Sequence, residues 1–543
     1  MLGLIMDRPM LISSLIDFAA EYHGGTEIVT HNVEGGLHRY GYADAQAEAK
    51  RLANALGELG VGFGDTVGTL AWNTRRHFEI YYAVSGIGAI CHTINPRLYV
   101  EQLAYIVNHA DDRVLFVEAG FVPLLDSFAA EIADTVRAIV VLCDEANLPE
   151  SEHFDLISYD ALVAAHDPVF DWPSFDERTA SSLCYTSGTT GNPKGVLYSH
   201  RGNILHSYAS IGPDCMNISA RDTVMPVVPM FHANAWGIPY AATMAGAKLA
   251  LPGPHLDGEN VQALITGEGV TMTAAVPTIW LMLLDYLKRS GKNIHPLTNV
   301  VIGGSAVPRS MIETFKRDYG ATVRHAWGMT EMSPLGTVNT PLAKHENLDD
   351  GAWLDLAEKQ GRPIFGVDMR IVGEDGGELA RDGVAFGDLQ VRGYWVANAY
   401  HRQDESDAHT ADGWFSTGDV ATLDGDGYMR ITDRTKDVIK SGGEWISSID
   451  LENIAVDHPK VVEAAAISVA HPHWDERPLL IAVREEGAEL EKSELLDWYE
   501  GKIARWWKPD DVVFVDELPH TATGKLLKTK LRDDFKDYIL PTA

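Results

Sequence analysis

Residues 185–195 read Tyr-Thr-Ser-Gly-Thr-Thr-Gly-Asn-Pro-Lys-Gly, and strand-like residues stand on both sides of them, at 182–185 and 196–198. We therefore expect a loop that joins two strands. Its glycines let backbone N–H groups approach an anion, its hydroxyls can donate hydrogen bonds, and its lysine adds positive charge. Such a loop can wrap a polyphosphate. The residues that would do so are Thr186, Ser187, Gly188, Thr189, Thr190, Gly191 and Lys194.

The lysine of this loop does not belong to a GxxxxGK[ST] phosphate loop. Counted from Gly188, Pro193 stands where that motif needs its second glycine, and a further glycine, Gly195, follows Lys194. A P-loop ATPase is therefore disfavoured.

The sequence around the loop alternates helical and strand-like stretches. Residues 43–59 have the period of an amphipathic helix, and short β-branched runs follow at 66–70, 113–117 and 138–142. This alternation predicts an α/β fold with largely parallel sheets. Residues 361–435 change to short strands punctuated by Gly and Asp, which predicts a small β-rich subdomain. Beyond Lys436 we expect a compact α+β module, with a helix then a strand over 448–470 and a helix over 493–507.

Composition excludes several classes of protein. Lys plus Arg number 44 against 77 Asp plus Glu, a net charge of -33 over 543 residues. A nucleic-acid or anionic-membrane binder would need a clustered basic surface instead. We find no signal peptide and no apolar run near the roughly 18 residues that a membrane span requires. The four cysteines form no CxxC pair, which favours a reducing compartment, so we expect a cytoplasmic protein.

The loop closely resembles the phosphate-binding loop of the adenylate-forming superfamily, which contains acyl-CoA and aryl-CoA synthetases, peptide-synthetase adenylation domains and luciferases. Residues 327–331, Trp-Gly-Met-Thr-Glu, resemble the adenylate-contacting segment of that superfamily. The resemblance implies that Thr330 meets the AMP phosphate and that Glu331 holds Mg²⁺, a cation commonly bound through only one or two carboxylates. It also places Trp327, Gly328 and Met329 at the nucleotide.

Further motifs follow in the order that the superfamily shows. Residues 416–419, Ser-Thr-Gly-Asp, resemble the ribose-binding turn and assign Asp419, with Arg434 as the second ribose contact and Ile431 near the adenine. Residues 518–525 resemble the C-terminal motif, whose lysine bridges the carboxylate and the α-phosphate. This makes Lys525 the predicted principal catalytic residue.

The resemblance also implies two domains joined by a hinge. It predicts an N-terminal adenylation domain over 1–433, a hinge at 434–436 containing Lys436, and a mobile C-terminal domain over 437–543. Rotation about the hinge would exchange Lys525 for a second face that serves the thiol. That face would contain Lys440, Gly442, Gly443 and Glu444. The glycine pair suits close passage of a pantetheine arm, and its alternative is an ordinary turn.

The acyl pocket is predicted from residues 229–237 and 303–308, which match pocket-bordering segments of the superfamily. Two bulky residues there, Trp236 and Trp327, would shorten the pocket and favour a short or medium acyl chain; the alternative is that both pack in the core. His232 is either a pocket residue or structural. The predicted pocket residues are His232, Trp236, Gly303, Gly304 and Trp327. Gly304 is also predicted to contact the nucleotide, because its segment matches the one that lies between the adenine and the acyl group in the superfamily.

These motifs predict an AMP-forming acyl-CoA synthetase that uses ATP, CoA and Mg²⁺. They look most like bacterial medium-chain fatty acid-CoA ligases and 3-(methylthio)propionate-CoA ligases, and the favoured substrate is 3-(methylthio)propionate or another short- or medium-chain fatty acid. Rival hypotheses are a medium- or long-chain fatty acid-CoA ligase, a luciferase-like oxygenase, a peptide-synthetase adenylation domain and a catalytically silent relative. A homodimer is the default expectation for the assembly.

Overall fold

A computed structural model describes residues 1, 3–186, 192–373, 375–403, 406–442, 444–520 and 526–543, with the backbone only at 444 and 445. Seven predicted site residues lie outside the described residues, and so does the side chain of Glu444. The seven are Ser187, Gly188, Thr189, Thr190, Gly191, Gly443 and Lys525.

The first two hundred residues alternate helices and strands, as predicted. Their elements are α1 Ser13–His23, β1 Glu27–His31, β2 Leu37–Gly41, α2 Tyr42–Glu58, β3 Thr66–Leu70, α3 Arg75–Gly86, β4 Ile90–Thr93, α4 Val100–Ala110, β5 Asp112–Val117, α5 Val122–Asp126, α6 Ala129–Ile132, β6 Ala138–Val141, β7 Leu156–Ser158, α7 Tyr159–Ala164, β8 Ala180–Tyr185 and β9 Gly195–Ser199.

The next part of the chain repeats this alternation. Its elements are α8 His200–Ile211, β10 Thr223–Pro226, the short turn α9 Ala233–Trp236, α10 Ile238–Ala245, β11 Lys248–Leu251, α11 Gly258–Glu268, β12 Met272–Ala275, α12 Pro277–Ser290, β13 Asn299–Ile302, α13 Arg309–Tyr319, β14 Thr322–Gly328, β15 Leu335–Val338, α14 Asp350–Ala357 and β16 Arg362–Pro363.

The remaining residues form two smaller sheets with helices on the second. Their elements are β17 Val367–Val372, β18 Phe386–Gly393, β19 Phe415–Leu423, β20 Met429–Arg434, β21 Ile439–Ser441, β22 Glu444–Ile446, α15 Ser448–Val456, β23 Val461–His471, β24 Asp475–Arg484, α16 Lys492–Asp497, β25 Asp511–Val515 and α17 Lys528–Asp534.

Four sheets organise these strands. A seven-stranded sheet has the order β7-β6-β5-β3-β4-β8-β9, and a nine-stranded sheet has the order β16-β15-β14-β13-β12-β10-β11-β1-β2. Both are parallel in their central strands and antiparallel where β9, β2, β15 and β16 join. Strands β17 to β20 form an antiparallel sheet, and β21 to β25 form a mixed one. The predicted α/β fold class, with its β-rich and α+β parts, is confirmed.

One apolar core joins the two large sheets. Its fully buried members include Tyr42 on α2, Phe78 on α3 and Ala241 on α10, so helices fill the space between the sheets. Helices covering the faces of a parallel sheet explain why its strands are apolar on both sides. None of the described helices is both long enough and apolar enough to cross a membrane.

Three parallel strands of the nine-stranded sheet end at the same edge. β12 lies between β10 and β13, and β14 continues on the other side of β13. Residues 227–237, 303–304 and 329–331 directly follow β10, β13 and β14. Ligands of open α/β sheets bind beyond the carboxyl ends of the strands, so this edge brings three predicted site segments together.

The predicted helix over 493–507 was wrong in extent. The helix α16 ends at Asp497, a turn follows, and Gly501 has φ +77°, which interrupts a right-handed helix. A separate 3₁₀ turn covers Arg505–Trp507. The apolar period of this stretch continues through the break because both turns pack their apolar side chains on the same core.

Candidate active site

The predicted phosphate loop connects β8 and β9, as expected. The two strands pair antiparallel with Tyr185 opposite Gly195. The N–H of Thr186 donates to the carbonyl of Lys194 at 2.9 Å, and the N–H of Lys194 donates to the Thr186 hydroxyl at 3.1 Å. These two bonds close the base of the loop and hold the exposed Lys194 side chain at its exit.

The segment containing Thr330 and Glu331 follows β14 as the 3₁₀ turn Thr330–Met332, and both side chains are buried. The hydroxyl of Tyr198, on β9, donates to the carbonyl of Thr330 at 2.6 Å. Burial raises the pKa of Tyr198 well above its ordinary value, so this phenol remains a donor. The hairpin that carries the phosphate loop therefore also positions the backbone of the predicted cation-binding segment.

A tyrosine that the sequence analysis missed links the lysine to the glutamate. The Tyr400 hydroxyl donates to Oε1 of Glu331 at 2.8 Å, and Nζ of Lys194 lies 4.8 Å from the centroid of the Tyr400 ring. Burial first, and then the charge of Glu331, raise the pKa of Tyr400. No local pattern marks this residue, because its partners lie far away in the sequence.

The predicted ribose contacts assemble around one buried carboxylate. Asp419 receives the Arg434 guanidinium at Oδ1, 2.8 Å from Nε, and the Trp327 indole N–H at Oδ2, 3.0 Å away. Its own N–H donates to Thr417 Oγ1 at 3.1 Å. Ile431 lies on the adjacent strand β20, where its N–H donates to Oε1 of Gln360 at 2.7 Å. The structure thus joins Trp327, Asp419 and Arg434 in one cluster.

The predicted acyl-pocket residue Trp236 stands on a turn with left-handed backbone. The φ angles of residues 233–236 run from +43° to +57°, and Gly237 continues at +73°. Such a conformation costs roughly 1–2 kcal/mol per non-glycine residue, so tertiary contacts must hold it. Asn234 supplies them: its amide donates to Ser182 Oγ at 2.9 Å, and its carbonyl oxygen accepts from the Cys184 thiol at 3.5 Å.

Gly303 leaves room for the Trp236 indole. A Cβ at position 303 would lie 3.2 Å from Cη2 of Trp236 and 2.9 Å from the carbonyl oxygen of Ala326. Gly304 has φ +89°, a conformation that a side chain would strain. Glycine at 303 and at 304 therefore has a steric reason, because the Trp236 indole and the Ala326 carbonyl lie close to position 303 and position 304 has a left-handed backbone.

Two buried side chains that the sequence analysis missed support the segments predicted to border the acyl pocket. Asn73 donates to the carbonyls of Pro226 and Val228 at 2.8 and 2.9 Å and accepts from the N–H of Met230 at 2.7 Å. The His206 ring accepts the N–H of Leu335 at 3.3 Å, and burial lowers its pKa to about 3, which keeps it neutral. The predicted pocket residue His232 is partly buried and donates its N–H to the Pro229 carbonyl.

The predicted hinge lies in the turn between β20 and β21. Lys436 is exposed there, and the N–H groups of Asp437 and Val438 both donate to the Arg434 carbonyl. Downstream contacts fix the turn: Asp433 accepts the N–H of Ser448 at 2.6 Å, and Arg532 pairs with Asp437 at 2.6 Å. Rotation about this turn remains a prediction.

The predicted thiol face belongs to the last sheet. Lys440 lies on β21, where its N–H donates to Oε2 of Glu476 at 2.8 Å. Gly442 has φ +59°, and a Cβ there would lie 2.8 Å from the ring of Trp474, a half-exposed indole that the sequence analysis did not single out. Gly442 thus lies in the turn between β21 and β22, with the ring of Trp474 close to it.

The chain belongs to the AMP-binding enzyme family, whose sequence pattern matches residues 16–401, while the pattern of the AMP-binding enzyme C-terminal domain matches residues 450–525. It is 56% identical over 537 residues to the 3-methylmercaptopropionyl-CoA ligase of Ruegeria lacuscaerulensis, a match that covers 99% of both chains. It is 49% identical to the medium-chain-fatty-acid–CoA ligase of Ectopseudomonas oleovorans, over 100% of this chain and 99% of the relative. The predicted superfamily and the predicted class of enzyme, an acyl-CoA ligase, are confirmed.

A solved structure agrees with the fold. The crystal structure of the anthranilate CoA ligase AuaEII in complex with anthranoyl-AMP superposes with a TM-score of 0.85, covers 98% of both chains and is 24% identical. The individual site residues remain predictions from the motifs and their geometry.

Proposed function

We propose that this protein joins 3-(methylthio)propionate to CoA, with ATP cleaved to AMP and pyrophosphate. The observation that carries the proposal is the contact of Trp236 with Gly303, next to the sheet edge that also bears Glu331. An indole at this position would wall a short acyl slot. A thioether suits such a slot because sulfur packs favourably on aromatic edges. The 56% identical relative acts, by its name, on the same acyl group.

In the first half-reaction, a carboxylate oxygen of the acid bonds to the α-phosphorus of ATP, and the bond to pyrophosphate breaks. The acyl-AMP that forms has a far better leaving group than the free acid. The residues of this chain contribute mainly position and charge. Lys194 and the loop hold the phosphates, Thr330 meets the α-phosphate, Asp419 and Arg434 hold the ribose, and Lys525 bridges the two reactants.

The residues at Glu331 fit a magnesium ion bound with a nucleotide. Among the described residues, no cationic side chain pairs with Glu331, and no group of three or more His, Cys, Asp or Glu residues could hold a metal by itself. A single buried carboxylate suits Mg²⁺, which keeps several waters and takes its other ligands from phosphates. When bound, the ion would offset charge on the phosphates; Glu331 would hold it.

In the second half-reaction, the thiol sulfur of CoA bonds to the acyl carbonyl carbon and AMP leaves. We infer that the face formed by Lys440, Gly442, Gly443 and Glu444 serves this step after the C-terminal domain rotates about Lys436. The cover of Trp474 over Gly442 supports a narrow passage there, since a glycine is required where the ring approaches.

An acid panel tests the proposal. The protein is incubated with ATP, Mg²⁺, CoA and acids from acetate to palmitate, including 3-(methylthio)propionate and octanoate, and AMP and acyl-CoA are measured. We expect the highest kcat/KM with 3-(methylthio)propionate. A clear preference for octanoate would favour the medium-chain alternative, which the 49% identical relative supports. Absence of AMP with every acid would refute the ligase, and ADP as product would refute the mechanism.

Truncating Trp236 should shift the acyl chain length that the enzyme prefers. The substitution Trp236→Ala is expected to lower kcat/KM for 3-(methylthio)propionate about tenfold and to raise kcat/KM for octanoate about tenfold, because the lost indole leaves apolar space for added methylenes, each contributing about 0.8 kcal/mol. Initial rates across the panel give the result.

The control is Trp353→Ala, which also removes an indole, here a partly buried one on the surface helix α14, whereas Trp236 is buried. It should leave the order of the acids unchanged. An unaltered chain-length profile in Trp236→Ala would show that this side chain packs in the core and does not border the acyl chain.

A further inference from the structure

Residues 395–401, called here the bridging segment, tie the phosphate hairpin to the turn that holds Glu331. The N–H of Ala397 donates to the carbonyl of Glu331 at 2.7 Å, and the N–H of His401 donates to the carbonyl of Gly195 at 2.8 Å. The Ser333 hydroxyl donates to the carbonyl of Trp395 at 3.0 Å. One short segment thus fixes the backbones of both elements that would handle phosphate.

The side chain of Tyr400 repeats this link between the two functional side chains. Its hydroxyl donates to Oε1 of Glu331 at 2.8 Å, while its ring lies 4.8 Å below the ammonium of Lys194. Tyr400 itself is only 7% exposed, so neither contact is a loose surface encounter. A single side chain, Tyr400, therefore contacts both the Lys194 ammonium and the Glu331 carboxylate.

We propose that Tyr400 is a positioning residue for adenylation, which sets the Glu331 carboxylate and the Lys194 ammonium in register before ATP binds. This inference rests on the proposed function. The hydrogen bond engages one carboxylate oxygen and orients the other, while leaving the negative charge of Glu331 in place for a cation. The ring attracts the ammonium and leaves its positive charge available, whereas an acidic partner would neutralise that charge.

The chemistry of the pair explains why a tyrosine suits this position. Glu331 and Lys194 have opposite charges, and a direct ion pair between them would compete with both predicted ligands, the cation and the phosphates. Among the described residues, neither side chain forms an ion pair. Tyr400 contacts both groups, the carboxylate with its hydroxyl and the ammonium with its ring, and each contact preserves the charge of its partner.

The test separates the two contacts with two variants. Tyr400→Phe keeps the ring under Lys194 and loses the bond to Glu331, whereas Tyr400→Leu loses both. The matched control is Tyr428→Phe, another buried tyrosine, whose hydroxyl donates to the Thr340 carbonyl at 2.8 Å and whose ring lies 5.8 Å from Nζ of Lys359. All variants are checked by thermal unfolding.

Two measurements report on the inference. The first is acid-dependent exchange of pyrophosphate into ATP at varied Mg²⁺. Tyr400→Phe should lower kcat and raise the Mg²⁺ concentration for half-maximal exchange, each about tenfold, with the KM for acid unchanged, because a hydrogen bond to a charged group is lost. The second is calorimetric binding of ATP in EDTA. There Tyr400→Leu should bind about threefold more weakly than Tyr400→Phe, because only the leucine variant releases Lys194.

The inference is overturned if the Mg²⁺ dependence of Tyr400→Phe matches that of Tyr428→Phe, or if the two Tyr400 variants bind ATP equally in EDTA. Failure of the proposed function looks different. In that case the unsubstituted protein shows no exchange with any acid, while the binding measurement in EDTA still decides whether Tyr400 positions Lys194.

Discussion

Replacing Lys525 with alanine is expected to lower the rate of acyl-AMP formation by about 100- to 1000-fold, the usual effect of removing one preorganised donor from a developing anion. The lysine itself lies outside the described residues, and its role rests on the motif at 518–525. If it bridges the carboxylate and the α-phosphate only during adenylation, the second half-reaction does not need it. Thioester formation from supplied acyl-AMP and CoA should therefore remain within a few-fold of the unsubstituted rate.

Single-turnover assays of each half-reaction measure this split. The matched control is Lys530→Ala, which removes an exposed lysine from the neighbouring helix α17 and should change neither rate. Lys528 is unsuitable as a control because it is buried, with Nζ 2.6 Å from Oε1 of Glu452. Equal loss in both half-reactions would show that Lys525 acts on folding or on domain placement and not on the adenylation step.

Local patterns in the sequence determine most of the secondary structure. The amphipathic stretch 43–59 forms α2 at Tyr42–Glu58, and the β-branched run at 66–70 forms β3 with those bounds. Both predictions succeed because burial of one face or of a whole strand imposes its period on the sequence. The prediction of one helix over 493–507 was wrong because the helix α16 and a separate turn both pack apolar side chains on the same core, so the apolar period continues across the break. Only Gly501 marks that break.

The residues of the candidate site also fall into those that local sequence predicts and those that it does not. Motif residues such as Thr330 and Asp419 could be assigned because their neighbours in the sequence form the motifs. Contacts between distant segments were not found: Tyr400 reaches Glu331 across 69 residues, and Trp327 reaches Asp419 across 92. Such pairs depend on how the sheets are placed against each other, which no window of sequence contains. Tyr400 was therefore invisible to motif reasoning although it touches two residues that the motifs assigned.

The net charge of -33 constrains how charge is distributed around the site. The proposed ligands, ATP and CoA, are themselves anionic, so an acidic protein must concentrate positive charge where they bind. At the predicted nucleotide site, the Lys194 side chain is exposed and the Arg434 side chain is partly exposed, so both positive charges are accessible. The acidic remainder of the surface would repel polyanions elsewhere and so favour binding at this edge.

Replacing Asp419 with asparagine is expected to weaken the binding of ATP and of AMP about 100-fold. The carboxylate is 2% exposed and accepts from Arg434 at one oxygen and from Trp327 at the other, which leaves further lone pairs for two ribose hydroxyls. An asparagine amide would point its NH₂ group at one of these donors, so that donor would lose its acceptor. Each lost hydrogen bond to a charged group corresponds to about tenfold or more in affinity.

The sharper measurement compares ATP with 2′,3′-dideoxy-ATP by calorimetry. The unsubstituted protein should prefer ATP about 100-fold, and Asp419→Asn should bind the two nucleotides nearly equally, because the discrimination resides in the hydroxyl contacts. Asp412→Asn is the matched control: its carboxylate is exposed and pairs with Arg370 at 3.0 Å, so its removal should leave the preference intact. A preference for ATP that survives in Asp419→Asn would place the ribose elsewhere, and the Trp327, Asp419 and Arg434 cluster would then be a structural link between β14, β19 and β20.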